Sequence, residues 1–150
     1  MDWMLMPLRR YAEFSGRSRR KEYWMFTLFI ALVSAVFVTL MFAGGFSTMM
    51  AAESGGLDEG PGALFWIGLV PLCLFFLAII VPSIAVGVRR FHDRDMSGWW
   101  YLGFIVLGAI PYVGIIASIA SFVITVLPGT PGPNRFGPDP KDLAGAEVFA

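Results

Sequence analysis

A chain of 150 residues holds one domain at most, and its 57% apolar and 15% charged residues, with a mean hydropathy of +0.69, exceed what a soluble fold of that size can hide. Lipid must therefore solvate much of it. The formal net charge of zero conceals a segregation of sign along the chain, and the lone Cys73 excludes a disulfide framework or a thiolate metal cluster.

Residues 1–18 form a basic N-terminal segment. From Pro7 on, Leu8, Tyr11 and Ala12 share one face at helical spacing with Arg9, Arg10 and Glu13 opposite. That pattern suits a short helix lying in the membrane interface, with a frayed terminus as the plainer alternative. Ser15-Gly16 breaks this helix, and Ser18 is placed to cap the next. Tyr23 and Trp24 mark the headgroup level, and residues 23–46 make a first transmembrane helix. It is too long for the apolar part of a signal peptide, so it is read as retained. Ser47 to Gly62 then carries Glu53, Asp58 and Glu59 and no Lys or Arg. Basic residues stay in the cytoplasm during insertion, so this loop is expected outside and the N-terminus inside.

Residues 63–88 return across the bilayer as a second helix, in which Pro82 cannot donate to the Ala78 carbonyl and predicts a kink. Residues 89–98 are a charged connector between two uncharged runs, 60–88 and 96–134, and must lie at a membrane surface. The third run, residues 99–127, has Pro111 near its centre. As one helix it is about 43 Å long and needs tilt or a kink; as two pieces, Trp99 to Ile110 is a re-entrant arm. The single kinked span is preferred. The choice sets the side of the C-terminus, because only a cytoplasmic tail brings Asn134, Arg135 and Asp139 to residues 89–95. Gly114, Ala117, Ser118, Ser121 and Thr125 fall on one stripe, a helix-packing seam within one chain or between two. Residues 128–150 form a tail whose five prolines and three glycines between Pro128 and Pro140 exclude helix and strand interiors, and Lys141 to Ala150 reads as a free end. The expected fold is an all-α integral membrane bundle of three transmembrane segments. Its third is kinked or broken at Pro111 into a helical hairpin, and a short interfacial helix precedes the first.

Three separated stretches carry a family resemblance. They are Phe14-Ser15-Gly16-Arg17-Ser18-Arg19-Arg20-Lys21-Glu22-Tyr23-Trp24, Arg89-Arg90-Phe91-His92-Asp93 with Ser97-Gly98-Trp99-Trp100, and Gly129-Thr130-Pro131-Gly132-Pro133-Asn134-Arg135-Phe136-Gly137-Pro138-Asp139-Pro140. In this order they resemble the small bacterial inner-membrane proteins grouped as domain of unknown function 805. Phe91 departs from the Leu of many members. The resemblance implies a bacterial membrane location and brings no activity.

Arg19, Arg20, Lys21, Arg89 and Arg90 are candidates for a cationic ring that binds anionic lipid headgroups or a phosphorylated ligand. The plainer account, that they only fix topology and snorkel to the interface, weighs more. His92 and Asp93 suggest a proton-handling pair, but neighbours on a helix point about 100° apart, and a structural role is favoured, in which Asp93 or Asp95 caps the helix near Ser97 or pairs with Arg94 or Arg19. Asn134 and Arg135 complete the candidate set. One His and one Cys cannot close a metal site, no phosphate-cradling glycine loop or hydrolase elbow is present, and no cofactor is expected. Trp99-Trp100-Tyr101 fits an interfacial aromatic belt. The first expectation is a non-enzymatic module that binds anionic lipid or a partner protein and self-associates through the seam. A homo-oligomeric transporter or channel comes second, and an enzyme acting on lipid headgroups last; nucleic acid is not an expected partner.

Overall fold

A computed structural model describes residues 2–53 and 60–141. Among the described residues the chain forms five helices: α1 (Asp2–Arg9), α2 (Arg20–Glu53), α3 (Ala63–His92), α4 (Gly98–Gly108) and α5 (Val113–Val126). No strand occurs among the described residues, only an isolated antiparallel bridge between Asn134 and Gly137. Contacts divide the chain into two compact regions. Of the described residues, one region, called the legs, holds those within 27–80, and the other, called the head, those within 2–26 and 81–141. Of the stretch expected as an outside loop, residues 47–53 instead extend α2, while residues 54–59, with Asp58 and Glu59, and residues 142–150 of the expected free end lie beyond the described residues.

Two helices, α2 and α3, are long and apolar enough to cross a membrane. Only 6% and 17% of their most apolar windows are buried, which separates them from the core helices of soluble proteins. Large side chains such as Leu32, Phe42, Leu74 and Leu77 point outward, as expected where lipid is the solvent. Within the legs the two helices approach through glycine. A methyl group on Gly68 would stand 2.6 Å from the Phe37 carbonyl oxygen, and one on Gly44 would meet the backbone of Leu64 and Phe65. Phe29 and Phe75 meet edge to face at 6.1 Å. Thr39 and Thr48 donate their hydroxyls to the carbonyls of Ala35 and Gly45 at 2.7 and 2.8 Å, which spares apolar surroundings an unpaired polar group. Cys73 is a free, exposed thiol.

The first span is longer than the predicted 23–46, beginning at Arg20 and reaching Glu53, and the second runs four residues past Val88 to His92. α3 stays one helix through Pro71 and Pro82, and Pro82 is fully buried. The N-terminal helix also differs from expectation: it is Asp2–Arg9 and contains Pro7, which is buried, rather than starting there.

The third run is not a single kinked span. α4 and α5 are separate helices that pack against each other, so the chain turns back between Ala109 and Tyr112. Tyr112, at the turn, has φ +64° and is 85% exposed, an unfavourable backbone for a non-glycine residue. Gly114 lies against the Gly108 carbonyl with no room for a side chain. Pro111 lies at the break, between Ala109, which closes α4, and Tyr112; Pro71 and Pro82 leave α3 continuous, so the proline alone does not decide the turn.

Candidate functional site

The charged connector is shorter than the sequence suggests, because Arg89, Arg90 and His92 occupy the last turn of α3. Asp95 takes φ +58°, and the Asp95 and Met96 amides donate to the carbonyls of His92 and Phe91 at 3.0 and 3.1 Å, a Schellman closure of α3. Ser97 itself caps α4, accepting from the Trp99 amide, so neither Asp93 nor Asp95 has that role.

Asp93 is instead the centre of a buried ion network. Arg17 donates its Nε to Asp93 Oδ1 at 3.0 Å, and Arg90 donates Nη1 to Asp93 Oδ2. The side chains of Arg17 and Arg90 are 1% and 0% exposed, and that of Asp93 7%. Arg17 sits directly after Gly16, whose φ of +81° suits glycine. A second buried pair joins Arg89 to Glu22 at 3.0 Å. It is a contact of charges without hydrogen-bond alignment, and Arg89 Nη1 is left buried with no hydrogen-bond partner.

These arginines also terminate α5. A helix leaves its last carbonyls unpaired and carries partial negative charge there. Arg90 donates to the carbonyls of Thr125, at 3.0 Å, and Leu127; Trp24 Nε1 reaches Thr125 O at 3.4 Å, Arg20 reaches Val126 O at 3.4 Å, and Arg94 reaches Pro128 O. The hairpin therefore returns its far end to the arginines at the end of α3, and the tail follows. Thr130 donates its amide to the Asp93 carbonyl at 2.8 Å, while Arg17 donates to the carbonyls of Thr130 and Gly132, both at 2.6 Å. Gly129 has no side chain because one would collide with the Asp93 carboxylate.

His92 and Asp93 do not face each other as a proton-handling pair. His92 Nδ1 lies 3.1 Å from the Gly16 carbonyl, and its ring stacks on Phe136 at 3.9 Å with planes 3° apart. Asn134 donates to the His92 carbonyl at 2.9 Å, and Arg135 pairs with Asp95 at 3.2 Å on the surface. The tail expected only for one choice of topology thus meets the connector. Ser18 does not cap α2: its amide donates to the Arg89 carbonyl at 3.1 Å and its hydroxyl points to the Arg19 carbonyl.

The five cations singled out in the sequence separate into two sets. Arg89 and Arg90 are fully buried and committed to the fold, so a direct headgroup contact is closed to them. Arg19, Arg20 and Lys21 line a cleft of about 210 Å³ with Trp3, Asp93, Gly129, Thr130, Asp139, Pro140 and Lys141. Arg20 and Lys21 are exposed, whereas Arg19 donates to the Pro140 carbonyl at 2.6 Å and stands 5.5 Å over the Trp3 ring. Both carboxylates are occupied: Asp93 by two arginines, Asp139 by the amides of Lys141 and Gly132 at 2.9 and 3.3 Å. The Lys141 amide foremost, helped by Arg17 and Gly132 against the cost of burial, holds the Asp139 carboxyl below its usual range. The cleft's uncommitted charge is positive. Of the seam, Gly114, Ala117 and Thr125 are buried within the chain, Ser121 is half-buried and Ser118 exposed.

Sequence reasoning missed Arg17, Glu22, Trp3 and Lys141 as parts of this arrangement. Glu22 carried one readable signal, as the sole acid inside a basic block; the rest depend on a tertiary fold that no local spacing encodes.

The model of a family described as protein of unknown function (DUF805) matches residues 11–138. Inner membrane protein YhaH of Escherichia coli K12 is 40% identical over 94% of this chain and 98% of its own length. Inner membrane protein YhaI of the same strain is 37% identical over 94% of this chain and 97% of its own length. Uncharacterized protein YiiR, also from that strain, is 28% identical over 87% of each chain. No solved structure matches.

Proposed function

The chain belongs to the membrane protein family of unknown function numbered 805, and we propose that it is a non-enzymatic bacterial inner-membrane module that holds anionic lipid headgroups at its cytoplasmic face. One observation carries the reading: the cleft at the start of α2 combines exposed Arg20, Lys21 and Lys141 with carboxylates that are already paired. Such a surface attracts anionic lipid with about 1 kcal/mol per cation near the membrane. The basic segments support a cytoplasmic N-terminus and a cytoplasmic position for this face. At about 1.5 Å per residue, α4 and α5, of 11 and 14 residues, are each too short for a core of roughly 30 Å. The hairpin therefore dips into the leaflet and returns, leaving two full spans. Self-association through the seam is not part of the proposal, since most of the seam is used inside the chain.

The test uses the full chain in mild detergent and native mass spectrometry. Arg20→Gln with Lys21→Gln lowers retention of anionic lipid by about tenfold or more, the loss of a charge-assisted contact, while the melting temperature holds. Unchanged retention overturns the proposal.

A further inference from the structure

The tail folds a small flap over the end of α3. The base of the flap is pinned: the Gly132 amide donates to Asp139 Oδ2 at 3.3 Å, Arg17 donates to the Gly132 carbonyl at 2.6 Å, and the Thr130 amide donates to the Asp93 carbonyl at 2.8 Å. Its tip is a preformed turn, in which Asn134 and Gly137 exchange amide-to-carbonyl bonds in both directions at 3.0 Å and the Phe136 amide donates to Asn134 Oδ1 at 2.9 Å. Such a turn moves as a unit. Two of its contacts with α3 fall on one residue, since Phe136 stacks on the His92 ring and Asn134 donates to the His92 carbonyl. Arg135 adds the surface pair with Asp95, and Asn134 reaches the Thr130 hydroxyl at 3.1 Å.

His92 is the chain's only imidazole, and its neighbours fix which nitrogen titrates. A carbonyl oxygen only accepts, so the contact with Gly16 places a proton on Nδ1 and leaves Nε2 to take the second. Nε2 faces Gly98, where a methyl group would stand 3.2 Å from it and 2.6 Å from Val88 Cγ1, and no hydrogen bond to Nε2 forms among the described residues. The Arg135 guanidinium already lies 4.8 Å over the same Phe136 ring, so protonation sets a second cation on a ring that holds one. The surrounding acids are occupied: Asp95 by Arg135, Glu13 by Arg10, Glu22 by Arg89, and Asp93 by Arg17 and Arg90, while α4 brings no charge. A helix end favours a cation, but Arg89 and Arg90 already supply two there.

We propose that His92 is a proton-operated latch for the flap: the tip stays docked on the neutral ring and lifts from the end of α3 when Nε2 is protonated. The base holds, because amides, carbonyls, an arginine and a carboxylate pin it, and none of these titrates near the ordinary imidazole value of about 6.5. Acid thus uncovers the His92 ring and frees Arg135 without unfolding the head. By linkage, docking weakens by about tenfold for each pH unit below that value. The latch stands or falls independently of the headgroup reading.

The test uses the full chain in mild detergent, in a Cys73→Ser background, with a nitroxide spin label on Pro138→Cys in the flap or, separately, on Pro131→Cys ahead of its base; both positions are exposed. The Pro138 label is restrained at about pH 7.5 and mobile at about pH 5, across the range where imidazole charges, and the Pro131 label keeps its mobility throughout. Two variants remove the titrating group in different ways: His92→Gln keeps a donor for the Gly16 carbonyl, and His92→Phe keeps an aromatic face for Phe136. In both, the Pro138 label loses its response to pH. A wild-type label that does not respond, a response that survives in either variant, or loosening of both labels together overturns the latch.

Discussion

The head and the legs invert each other's polarity. In the legs, large apolar side chains such as Phe42, Leu74 and Leu77 are exposed, while glycine mediates the helix contact. In the head, Arg17, Glu22, Arg89, Arg90, Asp93 and Asp139 are buried. The legs need only be apolar and narrow at two points, so many sequences would serve. The head depends on particular pairings, because a buried charge that loses its partner costs several kcal/mol. Specificity is therefore concentrated in the head, and so are the three stretches that carry the family resemblance.

Asp93→Ala sharpens this contrast most. It leaves Arg17 and Arg90 buried without their shared carboxylate, and about 3–5 kcal/mol of stability is lost in detergent unfolding. Leu77→Ala, 66% exposed in the legs, changes stability by no more than about 0.5 kcal/mol. Comparable losses at the two positions would break the comparison. Gly68→Val tests one of the two demanding points of the legs, forcing a side chain onto the Phe37 carbonyl and costing about 1–3 kcal/mol. The smallest effect is at Asp139. Its carboxyl titrates below the ordinary value of about 4, so its contribution is complete above that pH and fades as acid carries it through the lower folded value. The stability gap between wild type and Asp139→Asn is constant near neutral pH and closes in acid.

The sequence reveals the legs better than the head for the same reason. An uncharged apolar run bounded by Tyr23, Trp24 and a basic block needs no partner to be read as a span, and the start of α3 at Ala63 follows from composition alone. The identity of the buried cations does not. Arg19, Arg20, Lys21, Arg89 and Arg90 look equivalent along the chain, yet the first three line an open cleft while the last two are sealed by Glu22, Asp93 and the α5 carbonyls. The hairpin was obscured because a proline in an apolar run breaks or bends a helix with the same local signature. What settles it lies far away in sequence, where Arg90 meets the carbonyls of Thr125 and Leu127.

The central claim is that the basic N-terminal block, the end of α3 and the tail form one folded face on one side of the membrane. Its most direct test is thiol labelling in a Cys73→Ser background, with Lys21→Cys and Arg135→Cys made singly and probed by a membrane-impermeant reagent. Both positions react in inside-out vesicles and neither in intact spheroplasts if the claim holds. Labelling of the two positions from opposite sides contradicts it.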